Sequence, residues 1–291
     1  MSVAIGILLA FVAMLCWGFG DFLIQKTTRK DGDWETMWAI TALSTIILTP
    51  FLYKDLIQLF TQQFNTIALL LISSIVLLVA GLLDFEALKQ GKLAVVEPLW
   101  SLEVIVSVLL GIFVAGEFLS QKQLILIGSL ITGLFLVSLR SYHASKRSIL
   151  EKGTIIAVLA ALTMGIVNYL TGITARKTGA LLTIWFLHLV IFIIATAYIT
   201  YNGKAAQLKK HIYKQKTKLF FMSILDNSAW VAFAFAMTLA PISITVALSE
   251  SYIIIAVLLG MYVNKEFLRR HQKIGLFIAI ISAISLAAIT I

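Results

Sequence analysis

The sequence has few of the residues on which enzymes and metal proteins depend. It contains a single cysteine, Cys16, and four histidines, so an intramolecular disulfide and a cysteine-based metal cluster are both excluded. No Gly-x-Ser-x-Gly element, phosphate-binding loop or His/Cys metal spacing occurs along the chain. We therefore expect no enzymatic activity, no cofactor and no bound metal.

Charged residues are also scarce. Only 13% of the 291 residues are charged and 60% are hydrophobic, whereas a soluble domain typically has about 25% charged residues. Apolar runs of roughly 20 residues, the length that crosses a bilayer as an α-helix, recur along the whole chain. These runs predict an all-α, multi-pass protein of the plasma (cell) membrane with ten transmembrane helices, the first of them retained and not cleaved as a signal peptide. The predicted spans are residues 3–25, 36–53, 66–88, 93–115, 122–139, 154–174, 181–201, 219–239, 243–263 and 274–291.

The net charge of +9 comes from basic residues between the spans. The connections after spans 1, 3, 5, 7 and 9 hold 19 of the 23 Lys and Arg residues, and those after spans 2, 4, 6 and 8 hold the other 4. Because short cytoplasmic loops collect positive charge, this distribution predicts that both termini lie outside. The densest group is expected to meet solvent and lipid headgroups, not nucleic acid. It comprises Lys204, Lys209, Lys210, Lys214, Lys216 and Lys218.

The chain repeats itself after about half its length. Residues 87–117 align without gaps on 236–266 with an offset of 149, and residues 16–30 align on 163–177 with an offset of 147. This predicts two five-helix repeats, and an odd number of spans per repeat inserts the second copy upside down. Inverted repeats are a transporter architecture, with the site near the middle of the membrane between the halves. The predicted repeats are residues 1–142 and 150–291.

The repeated segments also carry a family resemblance. The Trp-Gly pair at 17–18, the segment "ALKQGKLAVV" at 87–96 and the run through Gly116-Glu117 resemble EamA-type members of the drug/metabolite transporter superfamily. The resemblance covers nearly the whole chain and implies transport of metabolites such as amino acids, cationic amines or nucleotide sugars. The chain departs from the family's Glu-Pro pair, since Val104 follows Glu103. Many relatives also place their termini in the cytoplasm, opposite to the charge distribution here.

Acidic residues are frequent inside the predicted spans. Seven of the 14 carboxylates fall there, with almost no basic partner at the same depth. They are Asp21, Asp84, Glu86, Glu97, Glu103, Asp226 and Glu250. A carboxylate at a helix centre costs about 2.5–3.5 kcal/mol on insertion scales, so each should stay protonated, pair with a cation or face a watery cavity. This pattern favours a cationic or zwitterionic substrate over a phosphorylated one, which would need Lys or Arg.

The segment "LAVVEPLWSLEVIV", residues 93–106, places two of these acids beside an aromatic ring. On a regular helix Glu97, Trp100 and Glu103 share an arc of about 120°, and Pro98 can kink the helix. Two acids that flank an indole resemble the wall of a cation site, because the face of an indole attracts cations. The alternative is that Glu97 reaches the headgroups and Trp100 is an interfacial anchor.

Further candidates lie in other spans. Asp21 matches Asn168 of the second repeat, and a first-span carboxylate is what small multidrug relatives of the family use for proton–drug exchange. A helix-cap or loop role is the alternative for Asp21. The substrate-binding candidates are Trp17, Asp21, Asp84, Glu97, Trp100, Glu103, Asn168, Asp226, Trp230, Glu250 and Tyr252, and the proton-coupling candidates are Asp21, Glu103 and Glu250.

Four other polar residues are assigned mainly structural roles. Glu86 is expected at the membrane interface. His188 is interpreted as a packing residue, with proton transfer as the alternative. Glu117 and Glu266, at the ends of spans 4 and 9, are expected to cap the helices that follow.

These features predict a secondary active transporter. Its expected substrate is a small cationic or zwitterionic metabolite of the amino acid or amine type, moved by alternating access, with coupling to a proton or cation as an option. One alternative is a proton-driven exporter of lipophilic cations, and another is a membrane sensor or scaffold that transports nothing. The expected partners are the substrate, the coupling ion and the lipid bilayer. We expect a monomer or homodimer without nucleic-acid contacts.

Overall fold

A computed structural model describes residues 2–59, 64–90, 97–139, 152–263, 265 and 267–291. Within these ranges the chain forms α-helices, two short 3-10 helices and connections, without a β-strand. The α-helices are α1 (Val3–Asp31), α2 (Asp33–Leu48), α3 (Tyr53–Leu59), α4 (Phe64–Gln90), α5 (Ser101–Phe113), α6 (Gln121–Ser138), α7 (Lys152–Thr178), α8 (Ala180–Tyr201), α9 (Ala205–Leu239), α10 (Ile242–Ser249), α11 (Tyr252–Val263) and α12 (Arg270–Thr290). The 3-10 helices are Thr49–Phe51 and Glu97–Trp100.

Eight helical segments of the described chain are long and apolar enough to cross a membrane, judged by length and composition. They coincide with eight of the ten predicted spans, so the chain is a multi-pass membrane protein. The other two predicted spans contain shorter helices. Helix α2 has 16 residues, and the apolar helix of the fourth span covers Pro98–Phe113. The predicted start of the fourth span, at 93–96, lies outside the described residues.

Two predicted spans are not continuous α-helices. The ninth is interrupted at Glu250 and Ser251, which form a turn between α10 and α11. In the fourth, the 3-10 helix Glu97–Trp100 precedes α5. The prediction of a regular α-helix through Glu97, Trp100 and Glu103, on which their shared arc of about 120° depended, is therefore wrong.

Both interruptions have local causes. Pro98 lies in the 3-10 helix Glu97–Trp100, and its missing N–H cannot donate to a helical ladder. The predicted kink at Pro98 depends on the carbonyl of Ala94, which lies outside the described residues. In the ninth span the hydroxyls of Ser249 and Ser251 donate to backbone carbonyls three and four residues earlier, and such bonds compete with the helical ladder. The repeat offset of 149 aligns Glu250 with Ser101, the residue that directly follows the 3-10 helix. The two interruptions therefore lie next to each other along the repeat without coinciding.

Contacts between the halves occur in pairs with the partners exchanged. The indole Nε1 of Trp38 donates to Thr196 Oγ1 at 2.9 Å, and Trp185 Nε1 donates to Thr49 Oγ1 at 2.8 Å. Trp38 and Trp185 are 147 residues apart, and so are Thr49 and Thr196, which is an offset of the sequence repeat. The antiparallel helices α2 and α8 are therefore joined by the same hydrogen bond at both ends.

Two close helix crossings also occur as a pair in which the two halves exchange roles. A Cβ added at Gly18 would lie 2.5 Å from the Cβ of Ile255, and one added at Gly165 would lie 2.6 Å from the Cβ of Val106. Gly165 follows Gly18 by 147 residues, and Ile255 follows Val106 by 149. Real Cβ atoms do not approach this closely, so α1 packs on α11, and α7 on α5, at separations that only glycine permits.

The helix ends define two faces of the bundle. Gly6 lies against the end of α9, and Glu117, just before α6, bonds to Ile242, just after α9. At the start of α6, Gln123 Nε2 donates to Thr290 Oγ1 of α12 at 3.3 Å. The start of α1 and the end of α12 therefore share one face, here named the terminal face. On the opposite face, named the basic face, Lys204 Nζ lies 3.8 Å from Glu35 Oε1. That the basic face is cytoplasmic stays a prediction from the Lys and Arg distribution.

At the terminal face Glu117 joins the two halves. Its carboxylate oxygens accept hydrogen bonds from the backbone N–H groups of Ile242 at 2.5 Å and Ser243 at 2.9 Å, the first residues of α10. Arg176 Nη2 donates to Glu117 Oε1 at 3.1 Å and to the carbonyl of Ala240 at 2.9 Å. One carboxylate thus caps α10 and binds an arginine that itself caps the end of α9.

The prediction that Glu117 caps the next helix is therefore wrong. Helix α6 is capped by Ser120, whose hydroxyl oxygen accepts from the backbone N–H of Gln123 at 3.3 Å. A side chain on a connection reaches whichever helix end the tertiary structure brings near, and here that end belongs to the other half. Glu266, its match in the second repeat, lies outside the described residues.

Replacing Gly133 by alanine should destabilise the crossing of α6 and α12. The new Cβ would lie 2.6 Å from the backbone nitrogen of Ala279 and 2.8 Å from the carbonyl oxygen of Gly275, and backbone atoms cannot turn aside. We expect a loss of about 1–3 kcal/mol in unfolding free energy, the usual effect of overpacking, seen as a lower melting temperature in detergent. Gly128→Ala on the same helix meets no atom within 4 Å and is the control. An equal loss in both variants would rule out the close crossing as the cause.

Candidate functional site

A cavity of about 180 Å³ lies inside the helix bundle. Residues of both halves form its wall, from α1, α2, α4, α5 and α7 to α9 and the turn between α10 and α11. Met37 near the start of α2 and Phe85 near the end of α4 place the cavity toward the basic face. Toward the terminal face the bundle is filled by α10, all eight residues of which are buried.

Nine of the eleven predicted binding residues line this cavity. They are Trp17, Asp84, Trp100, Glu103, Asn168, Asp226, Trp230, Glu250 and Tyr252. The side chains of the other two, Asp21 and Glu97, lie outside the described part of the structure. The fold therefore brings residues far apart in sequence to one place, while their role in binding stays a prediction.

Four carboxylic acids stand in the cavity wall. Glu103, Asp226 and Glu250 are only 5–7% exposed, and Asp84 is half-buried. No Lys or Arg occurs among the described residues of the wall. Acids buried this deeply require protons, hydrogen-bond donors or a cation as partners.

Glu250 lies at the break between α10 and α11. Asn168 Nδ2 on α7 donates to Glu250 Oε1 at 3.2 Å, and Asn168 is itself 1% exposed. The Glu250 carboxylate therefore has a hydrogen-bond donor within the bundle. The interruption also leaves backbone groups of the ninth span without their usual α-helical partners. Interrupted helices in membrane proteins are tolerated where they line a cavity, which is the position of this turn.

An aromatic cluster forms the neighbouring wall. The ring centroids of Trp17 and Trp230 are 5.3 Å apart in an edge-to-face arrangement, and Trp17 lies 6.5 Å from Tyr252. The side chain of Trp17 also lies beside that of Asp226. Indole faces beside carboxylates attract an organic cation through both its charge and its apolar surface.

His188 reaches the same cavity, which the packing interpretation from sequence did not anticipate. Its ring lies 6.3 Å from that of Trp230 and is 2% exposed. Asn227 lies beside it, but the Asn227 amide donates to the carbonyls of Ile40 and Ser223. Within the described chain, Nδ1 of His188 and Oδ1 of Asn227 are buried without a well-formed hydrogen bond. The ring is thus a further polar group available to a molecule in the cavity.

Sequence reasoning missed the apolar part of the wall. Met37, Met164 and Ile191 line the cavity, but apolar residues in apolar spans carry no signal that separates them from lipid-facing ones. Glu86, expected at the interface, is not among the wall residues and accepts a hydrogen bond from Gln90 one turn later. Among the described residues, no three His, Cys, Asp or Glu side chains are grouped so as to hold a metal ion.

The helices and the cavity define a multi-pass membrane protein with an acid-lined interior site. The sequence profile of the EamA-like transporter family matches residues 4–139 and 151–288. The chain therefore belongs to the EamA-like transporter family.

One sequence relative and one solved structure extend this comparison. The chain is 29% identical over 136 residues to a Methanocaldococcus jannaschii protein named Uncharacterized protein MJ1333.1, an alignment that covers 46% of this chain and 96% of the relative. A solved structure, titled only as the crystal structure of a protein, is similar with a TM-score of 0.75 and 14% identity, covering 98% of this chain and 95% of the other. That likeness shows the same fold.

Proposed function

We propose that this protein is a secondary active transporter of a small cationic or zwitterionic metabolite, of the amino acid or amine type, in the plasma membrane. The observation that carries the proposal is the cavity wall, in which four carboxylic acids stand without a Lys or Arg among its described residues. A cation that enters replaces its lost hydration with these acids and the aromatic faces. An anion would be repelled by every ionised carboxylate.

The size of the cavity supports a small substrate. Its volume of about 180 Å³ lies below the range of about 300–1,000 Å³ that drug-sized ligands occupy. This size favours an amine or amino acid of a few heavy atoms over a nucleotide sugar. Its ammonium group would lie between Glu103 and Glu250, with its apolar part against Trp17 and Trp230.

We infer that the chain is two inverted five-helix repeats with ten spans. The exchanged Trp–Thr hydrogen bonds and glycine contacts support this arrangement, because a two-fold relation between halves makes every contact occur twice. The half-length relative supports it too, since 96% of that protein aligns with 46% of this chain. The repeats would be residues 1–142 and 150–291, and the cavity between them is where inverted-repeat transporters bind.

In alternating access the cavity would open to one face at a time, so that the basic face closes when the terminal face opens. The buried α10 and the bonds of Glu117 to Arg176 and α10 support a closed terminal face in this structure. Glu103, Glu250 or Asp21 would carry a coupling proton, since each is an acid within a predicted span. The protein would act as a monomer or homodimer.

Export of lipophilic cations is the second candidate. The aromatic wall formed by Trp17, Trp100, Trp230 and Tyr252 favours it, because large apolar cations gain from such surfaces. Competition by structurally unrelated lipophilic cations, at affinities above those of any amino acid, would select this candidate over the first.

Purified protein in proteoliposomes should bind and move amines or amino acids and ignore sugar phosphates. A thermal-shift screen followed by radiolabel uptake measures both, and competition should follow the positive charge of the compound. Binding of a sugar phosphate at low micromolar concentration would overturn the charge argument. Absence of any ligand effect and of any flux would instead favour a membrane sensor or scaffold.

A further inference from the structure

A second cavity lies at the basic face, outside the acid-lined site. It is a fissure of about 840 Å³ between the first part of α9 and the helices α2 and α8. Helix α9 is bent at Gln215, where φ is −125° and ψ is 21°. The bend separates residues 205–214 from the rest of the helix, and the candidate membrane span of α9 begins at Ile212. One wall of the fissure is therefore a short segment at the edge of the span.

The rim of this fissure is strongly basic. Lys209, Lys210, Lys214 and Lys216 line it and are exposed, and no Asp or Glu occurs among its described wall residues. The neighbouring Lys204 is different, because it pairs with Glu35. The rule that cytoplasmic loops collect Lys and Arg accounts for basic residues at this face, but it does not require that four of them border one cavity.

Below the rim the fissure is mostly apolar. Trp38 and Thr196, which line it, each lie five residues from the helix end at the basic face, so the fissure descends about 7 Å into the bundle. The hydrogen bond from Trp38 to Thr196 uses the polar groups at that depth. A ligand that fits must therefore carry negative charge at one end and apolar chain at the other.

We propose that this fissure binds an anionic membrane phospholipid, with the four lysines around its phosphate and the upper acyl chain against Trp38. Lysine ammonium groups bind phosphate as point charges, and basic pockets between transmembrane helices on the cytoplasmic side hold anionic headgroups. The volume is within the range of about 300–1,000 Å³ that small-ligand sites occupy. The matching connection of the first half has no such group, since its described helix α3 carries one lysine and one aspartate.

Thermal unfolding of the purified full chain in detergent tests the proposal. Phosphatidylglycerol should raise the melting temperature, while phosphatidylcholine should not. The combined variant K209Q/K210Q/K214Q/K216Q should weaken the apparent affinity for phosphatidylglycerol at least about tenfold. The matched control K54Q/K122Q/K177Q/K273Q removes four exposed lysines outside the fissure and should keep the wild-type response. Equal loss in both variants would reduce the effect to net charge and overturn the proposal.

A second pair of variants separates the fissure from its surface. Thr200→Trp fills the cavity and leaves every lysine in place, so it should also abolish the lipid response. Thr132→Trp is its control, because both threonines are exposed and donate to the carbonyl four residues earlier in their own helix. A normal lipid response in Thr200→Trp would place the lipid on the outer surface and contradict the proposal. Stabilisation by glycerol phosphate equal to that by phosphatidylglycerol would show that the ligand is a free phosphate and not a lipid.

Discussion

Replacing Glu250 by glutamine should abolish or sharply reduce substrate binding and transport while the protein still folds and inserts. The amide keeps an oxygen that can accept from Asn168, as the carboxylate does at 3.2 Å, but it loses its charge. A charge pair at 4 Å is worth about 4 kcal/mol at an effective dielectric constant of about 20, so affinity for a cation should fall at least about 100-fold. Glu103→Gln should behave alike, because Glu103 shares the cavity wall. Equilibrium binding of a labelled substrate measures both variants.

Glu86→Gln is the matched control for these two substitutions. Glu86 is a carboxylic acid of the third predicted span that does not line the cavity. Its neutralisation should therefore leave the affinity for the substrate within about twofold of wild type. If Glu250 or Glu103 also carries the coupling proton, its glutamine variant should lose the pH dependence of any remaining transport. Wild-type affinity and rate in both Glu250→Gln and Glu103→Gln, at equal expression, would place the site elsewhere.

Replacing Glu117 by alanine should weaken the contacts that close the terminal face and make the cavity more accessible from that side. The substitution leaves the N–H groups of Ile242 and Ser243 without an acceptor and Arg176 without its carboxylate. We expect a loss of about 1–3 kcal/mol in stability, the sum of a lost helix cap and a partly screened ion pair. We also expect faster labelling of a cysteine placed at Met164 in the cavity. The measurement uses a Cys16→Ser background and a membrane-impermeant thiol reagent added at the terminal face.

Ser120→Ala separates closure of the face from stability alone. Ser120 lies three residues after Glu117, and its replacement removes the N-terminal cap of α6. We expect a loss of about 1 kcal/mol in stability, with every contact of Glu117 between the halves kept. Labelling at position 164 should stay at the wild-type rate in Ser120→Ala. If the two variants label equally fast, loss of stability and not the bonds of Glu117 controls access to the cavity. Unchanged labelling in Glu117→Ala would exclude Glu117 as part of the closure.

The acid-rich interior could be inferred from the sequence because an ionisable residue in an apolar run is costly wherever the run packs. Glu103, Asp226 and Glu250 could be selected one by one on that ground. Their convergence on one cavity could not be deduced, since it depends on how the helices pack. Apolar wall residues such as Met37 and Met164 carry no such signal, because lipid and protein interior select the same side chains.

The sequence alone determined the membrane class, most helix positions and the internal repeat, because these depend on the length and periodicity of apolar runs and on self-similarity along the chain. It did not determine the break at Glu250, where no Pro or Gly marks the turn, nor the partner of Glu117. Those were decided by tertiary structure, since a helix end accepts whichever carboxylate the packing brings near. Tertiary structure also placed His188 in the cavity wall and four lysines around the fissure. Both depend on the angles at which helices cross, and those angles follow from contacts between residues distant in the sequence.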